Sequence, residues 1–303
     1  MAGKSFSSAK NFTSFGGWND QNIRLDTLGG RIGAPTNLLP SAAPQDVYRE
    51  VAQDLKKLLS GLRNQDQLAS VWLNRGIDRK ITKPTTMHYA YAEGSRSRAR
   101  GILLSVKGCG NAEAQYLSSK IVECIKRKVS DAGRVMDWLK GIARALAEQG
   151  TGVRWKLPTG FVAVVERHKY EKRAIPTSLG RKMSVDDKNK PLGMDKNAQS
   201  RKIVPDFVHS YDAAHMMLTV NALRRRNIRH FAMVHDSFAV HACSVRDLNR
   251  ALRRSFVQIY HRDVLMKFAE ELRSRAPDLQ LSPPPPRGEL DVSQVLKPPY
   301  FFS

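Results

Sequence analysis

Apolar residues recur every three or four positions through block after block of this chain, and that period restricts the fold more than any other feature. Val47, Val51, Leu55, Leu58 and Leu59 share one helical face that runs to about Leu62. Ser41-Ala-Ala-Pro-Gln-Asp opens that helix, with Pro44 in the first turn, where a missing N–H costs nothing. Between Asn111 and Lys128, Ala114, Leu117, Ile121 and Ile125 form a second apolar face. Val135, Trp138, Leu139, Ile142 and Leu146 form a third within 131–149. Shorter helices are expected at 65–76, from Thr85 to about Glu93, from Asp212 to Arg226, at 247–259 and at 262–274. The period changes twice. Val153–Val165 reads as two strands around Pro-Thr-Gly, and Phe231–His241 as a hairpin with His235-Asp236-Ser237 at its tip. Residues 1 to about 40 read as loops and short extended pieces, and Pro283–Pro286 as a stiff extended connector. The expected class is α+β, mainly helical. The 303 residues suggest two substructures, and 41% hydrophobic composition is enough for a real core.

Charge narrows the function. The 50 Lys and Arg against 28 Asp and Glu leave a net charge of +22. A surplus of this size points to a polyanionic partner, nucleic acid first, through neutralised phosphates and released counterions. A basic but passive surface is the alternative. The stretch 166–202 is highly polar, with 11 Lys or Arg against 5 Asp or Glu, and is either disordered or a functional loop or hairpin. No run of eighteen apolar residues exists, so a membrane span is not expected, and the first residues lack a signal-peptide core. Cys109, Cys124 and Cys243 form neither a metal-spaced pair nor a disulfide framework, so a reducing, intracellular compartment is the default.

Three stretches carry candidate chemistry. In Val234-His235-Asp236-Ser237-Phe238 a carboxylate lies at a turn between apolar strands, where a metal ion is its natural partner; taken alone, an Asp that merely stabilises the turn fits as well. In Asp78–Tyr91, a helix starting near Lys83 sets Lys83, Met87 and Tyr91 on one face with Arg79 just ahead. Cations at a helix N-terminus suit a triphosphate; solvated charges on an ordinary amphipathic helix are the alternative. Pro205–His215 holds two His and two Asp, but the spacing matches no zinc pattern, so His209 is read as a hydrogen-bonding residue.

Taken in chain order, the three stretches resemble the single-subunit, phage- and mitochondria-type DNA-dependent RNA polymerases. Arg79, Lys83, Met87 and Tyr91 match the family's fingers-helix motif R-x-x-T-K-x-x-x-M-x-x-x-Y. His235-Asp236-Ser237 matches its second palm aspartate motif, and Pro205–His215 looks like its P-x-F-V-H-S-x-D-x-x-H segment. The stretches 29–48 and 263–296, and the terminal Tyr300-Phe301-Phe302-Ser303, look like its palm link, closing helices and aromatic C-terminus. The resemblance runs from about residue 29 to 303. The related A-type DNA polymerases usually carry His-Asp-Glu in the palm; Ser237 after Asp236, and His209 in Phe-Val-His-Ser, favour the RNA polymerase side.

The resemblance implies the fingers and part of the palm of a right-hand polymerase fold. It implies templated transfer of NTPs to nascent RNA on a DNA template with two Mg2+ ions. Asp236 would be one of two metal-binding carboxylates. Arg79 and Lys83 would hold the triphosphate, Tyr91 would discriminate ribose from deoxyribose, and His209 would contact the sugar near the 2′-OH. The basic stretch 166–202 stands where the family carries a promoter-reading hairpin. Pro84 replaces a residue that is often basic.

The family's first palm motif, an Asp-Gly followed by Ser-Gly-x-x-His, is missing. Its Asp would fall near Asn11, and Asp20 and Asp26 lack its context. Two readings follow. The chain is the C-terminal subunit of a split phage RNA polymerase, with the thumb, the first palm strands and the first palm aspartate on an N-terminal polymerase subunit. Alternatively, it is a non-catalytic polymerase relative that binds DNA or RNA. The Met start and aromatic end fit a natural gene product, and the retained set Arg79, Lys83, Tyr91, His209 and Asp236 favours the first reading. The expected division is 1–45 as joining segment and partner interface, 46–204 as fingers with the basic loop, and 205–303 as palm half. The expected location is the cytoplasm of an infected bacterial host. An unpartnered half-palm would expose sheet edges and apolar surface.

Overall fold

A computed structural model describes residues 46–297 apart from 129, 179, 235, 236 and 289. The expectations for Pro44, for Asp20 and Asp26, for the joining segment and for the aromatic C-terminus therefore lie outside the described residues.

The first helix, α1 (Val47–Leu62), starts where Asp46 accepts from the backbone N–H groups of Tyr48 and Arg49. Such a cap satisfies donors that a helix start leaves orphaned. Asp66 caps α2 (Gln67–Arg75) in the same way. Its second oxygen accepts from the Tyr116 hydroxyl at 2.6 Å, which ties α2 to α5 (Asn111–Lys128). That hydrogen bond is the main reason the Asp66 carboxyl sits below its ordinary range. Between them lie α3 (Arg79–Ala90) and α4 (Ser95–Ser105). Gly101 lets these two meet closely: a Cβ there would stand 3.0 Å from Pro84 Cβ and 3.3 Å from the His88 ring. Both α1 and α5 pack against α3.

The second half begins with α6 (Ser130–Glu148) and the hairpin β1 (Val153–Lys156) and β2 (Val162–Val165). A longer hairpin follows, β3 (His168–Pro176) with β4 (Lys182–Met194), almost wholly exposed and irregular in register near Tyr170. Then comes α7 (Lys196–Arg225), about 45 Å long at 1.5 Å per residue. The third hairpin pairs β5 (Phe231–Val234) with β6 (Ser237–Val240), and α8 (Val245–Tyr260) and α9 (Val264–Arg275) close the fold. Among the described residues the three sheets are each two-stranded and antiparallel.

Helix α7 is the spine. It packs against α6, α8 and β2. The Trp155 indole N–H donates to Ser210 Oγ at 3.0 Å, fixing β1 on α7. Around that contact Trp155, Phe207 and Phe268 stack within 6 Å of one another, with centroid separations of 5.0–5.9 Å. Isolated two-stranded hairpins are marginal in water, so β1–β2 owes its stability to this aromatic cluster.

The mainly helical α+β expectation holds, with three departures. The third helix starts at Arg79, capped by Asp78, not near Lys83 or Thr85. Pro84 therefore lies inside it, where it removes one helical N–H, and not in its first turn. Helix α4 was not anticipated: its buried residues are Ala99, Gly101 and Ile102, too small a stripe to register as a period. Helix α7 begins sixteen residues before Asp212. Pro205 reads as a stop, but the buried pairs Ile203–Val204 and Phe207–Val208 flank it and carry the helix through. The expected division at 204/205 falls inside this helix.

Candidate nucleotide-binding cleft

Helix α3 presents two unlike sides. Thr82, Thr85 and Thr86 are buried. The Thr82 hydroxyl donates to the Tyr48 carbonyl at 2.8 Å and that of Thr86 to the Thr82 carbonyl at 2.8 Å, so this side is fixed against α1. On the other side, steps of four residues carry Arg79, Lys83 and Met87 toward Tyr91. The Arg79 guanidinium is centred 5.3 Å from the Tyr48 ring, and Lys83 Nζ lies 5.8 Å from it. Arg79 is also ion-paired to Asp46, the cap of α1. Its charge is thus already shared with a carboxylate, and Lys83 is the freer of the two cations. Neither Asp46 nor Tyr48 was foreseen as a neighbour of this pair, because 33 residues separate Arg79 from Asp46.

Tyr91 is the C-cap of α3, and its backbone N–H donates to the Met87 carbonyl at 3.0 Å. The next residue, Ala92, has φ 54°, a left-handed conformation that turns the chain sharply into α4. His88 Nδ1 lies 2.8 Å from Glu93 Oε2, and Arg98 donates to the Glu93 carbonyl, which holds the turn. So held, the Tyr91 ring faces His209 of α7 with centroids 5.4 Å apart and planes 46° apart.

The two rings border a cavity of about 550 Å³, also lined by Glu93, Arg167, Arg201 and Lys202. A volume in this range suits a small ligand. Three cations against one carboxylate give its lining a positive balance. Arg167 stands at the root of the β3–β4 hairpin and lies 3.9 Å from Asp206. The count of cations across 166–202 signalled this charge; its position beside Tyr91 depends on how α7 crosses α3, which no local pattern reports.

The other histidine of the 205–215 segment has a different place. His215 is buried between Phe238 and Phe256 and its Nε2–H donates to the Leu252 carbonyl at 2.8 Å. Burial pushes its pKa down to about 4, so it is a neutral core residue. His209 is exposed at the cavity.

The β5–β6 register pairs Val234 with Ser237, and Phe238 buries the hairpin against α7. His235 and Asp236 lie between these strands and outside the described residues. Among the described residues no group of three or more His, Cys, Asp or Glu comes together to hold a metal ion, and no helix is long and apolar enough to cross a membrane. The described side chains alone therefore do not make a Mg2+ site.

Comparison with known proteins bears on the whole stretch. The family model described as DNA-dependent RNA polymerase matches residues 26–282. DNA-directed RNA polymerase 3, chloroplastic, of Nicotiana sylvestris is 32% identical over 89% of this chain and 29% of its own length. DNA-directed RNA polymerase 2, chloroplastic/mitochondrial, of Arabidopsis thaliana is 31% identical over 92% of this chain and 28% of its own length. DNA-directed RNA polymerase 2A of Nicotiana tabacum is 32% identical over 92% of this chain and 86% of its own length. Against the first two, the chain spans less than a third of the relative.

Proposed function

This chain belongs to the DNA-dependent RNA polymerase family, and on that premise we propose that it is the fingers and closing palm half of a templated RNA polymerase whose first palm aspartate comes from a separate polypeptide. The observation that carries the proposal is the line from Arg79 and Lys83 to Tyr91 facing His209. Lys83 and Tyr91 are about 12 Å apart along α3, a span of the order of an extended nucleotide.

The chemistry asks mostly for position and charge from the protein. Lys83 neutralises the triphosphate electrostatically, and Arg79 joins it by sharing or releasing Asp46. Tyr91 marks the boundary between this nucleotide path and the cavity of about 550 Å³, which Arg79 and Lys83 do not line; its hydroxyl senses the ribose, while His209 steadies the sugar. Asp236 offers a hard carboxylate oxygen of the kind Mg2+ prefers, with a second carboxylate from the partner polypeptide. The bound metal would supply charge neutralisation at the reacting phosphate. The β3–β4 hairpin contributes promoter contacts. The division into joining segment, fingers and palm half, the split arrangement, a phage source and an infected bacterial cytoplasm belong to the same proposal; the curated relatives named above are plant enzymes, chloroplastic or chloroplastic/mitochondrial by name where a compartment is given.

The absent Asp-Gly motif near Asn11 favours a second reading, a non-catalytic relative that binds DNA or RNA. Asp236→Asn separates the two. In the complex of this chain with its partner, primed extension is expected to fall by at least about a thousandfold, while scaffold affinity stays within about twofold. Unaltered extension would remove the metal role of Asp236.

A further inference from the structure

A second basic surface lies away from the cleft, along α8. One side of this helix is buried through Leu248, Leu252, Phe256, Ile259 and Tyr260. The opposite side carries Arg246, Arg250, Arg254 and Gln258, all exposed, one every four residues. Steps of four advance about 6 Å and turn the row by about 40° each, so it winds across the exposed side of the helix. Beyond the helix end it meets Arg262 and Lys267 at a cavity of about 320 Å³.

Folding does not account for this row. Like charges four residues apart on a helix repel and destabilise it. Among the described residues none of Arg246, Arg250 and Arg254 is ion-paired. The one carboxylate on that face, Asp247, is taken by Arg226 at the end of α7. Arg253 shows what a structural arginine in the same helix looks like: it is buried and donates to Asn249 Oδ1 and to the Val295 carbonyl. The three exposed arginines have no such service. All are Arg, whose planar fork suits phosphate oxygens.

We propose that the exposed face of α8 is a second nucleic-acid contact, one that grips the phosphate backbone of a duplex. The regular row of cations matches a regular row of phosphates. A duplex is favoured over a single strand because single-strand surfaces interleave charge with stacking aromatics. Here the aromatic residues of α8, Phe256 and Tyr260, are buried on the other side. The proposal stands independently of catalysis, since it concerns binding alone.

The test is a salt titration of the full chain with a short fluorescein-labelled DNA duplex, read by anisotropy. Arg246→Gln, Arg250→Gln and Arg254→Gln are combined in one variant. Lys56→Gln, Lys57→Gln and Lys126→Gln, exposed on α1 and α5, form a control of equal charge. The log–log salt slope is expected to shrink by about 0.9 for each α8 arginine removed and by clearly less in the control. Replacing the same arginines by Lys is expected to restore most of the slope, which separates lost charge from lost fold. An α8 variant that keeps the wild-type slope, or loses no more than the control, overturns the proposal. So does intact duplex binding with loss of a co-recovered polypeptide, which would make the face a protein interface. Equal weakening toward an unstructured single strand would likewise contradict a duplex contact.

Discussion

Tyr91 is at once the C-cap of a helix and a wall of the cavity, so its ring is held by the turn behind it where it borders that space. Tyr91→Phe keeps the ring and the 5.4 Å contact with His209. The primed extension rate should be spared, and preference for ribonucleotides over deoxyribonucleotides should fall by roughly tenfold, the scale of one hydrogen bond. Incorporation ratios from mixed substrates measure this, and unchanged discrimination would refute the role. At His215 the issue is stability. Its folded pKa is lowered to about 4 from an ordinary 6.5, so the unfolded chain binds the proton first as pH falls. The neutral core histidine therefore contributes stability above pH 6.5 that is lost progressively down to about pH 4. Between about pH 7 and pH 5 the loss attributable to this residue is about 2 kcal/mol. Denaturation midpoints of wild type and His215→Gln at the two pH values test it, and the variant should lose less on acidification. Residue types and spacings were readable at 79, 83, 91 and 209. The partners Asp46, Tyr48 and Arg201 were not, because they reach the site through packing between distant helices.

Among the elements, period decided what the sequence could reveal. Helices α1, α5, α6, α8 and α9 each bury a broad apolar face, and all were legible within a few residues. Helix α4 hides behind a stripe of Ala and Gly, and the first half of α7 behind Pro205, where neighbouring burial outweighs the lost hydrogen bond. The 166–202 stretch was open between disorder and a hairpin, and it forms one, β3–β4. Its strands bury almost nothing, so folding does not explain their length. Tyr170 and Pro191 are register partners, which makes residues 171–190 removable as a unit. Replacing them by Asn-Gly should leave the unfolding midpoint nearly unchanged. Promoter-dependent initiation should fall at least about tenfold further than primed extension. Equal losses in the two assays would contradict a promoter contact.

For the whole molecule, the split arrangement proposed above requires a surface that a second polypeptide can complete. One core cluster links the α3 region to the α7–α9 region, so the described elements hold together without help. Among the described residues, however, the three sheets are two-stranded hairpins whose outer edges pair with no described strand, and Val162, Val164 and Val234 are exposed on them. Unpaired strand edges promote association, so the β5–β6 hairpin is where the proposed arrangement would add strands. In the proposed arrangement the first palm carboxylate, whose motif is absent near Asn11, comes with those strands. The most direct test recovers the tagged chain with whatever binds it and measures NTP- and Mg2+-dependent extension of an RNA primer on a DNA template, beside the chain purified alone. Extension by the recovered complex and none by the isolated chain is the predicted result. Extension by the chain alone, at the rate of the complex, would mean that it completes its own metal site and would contradict the split arrangement.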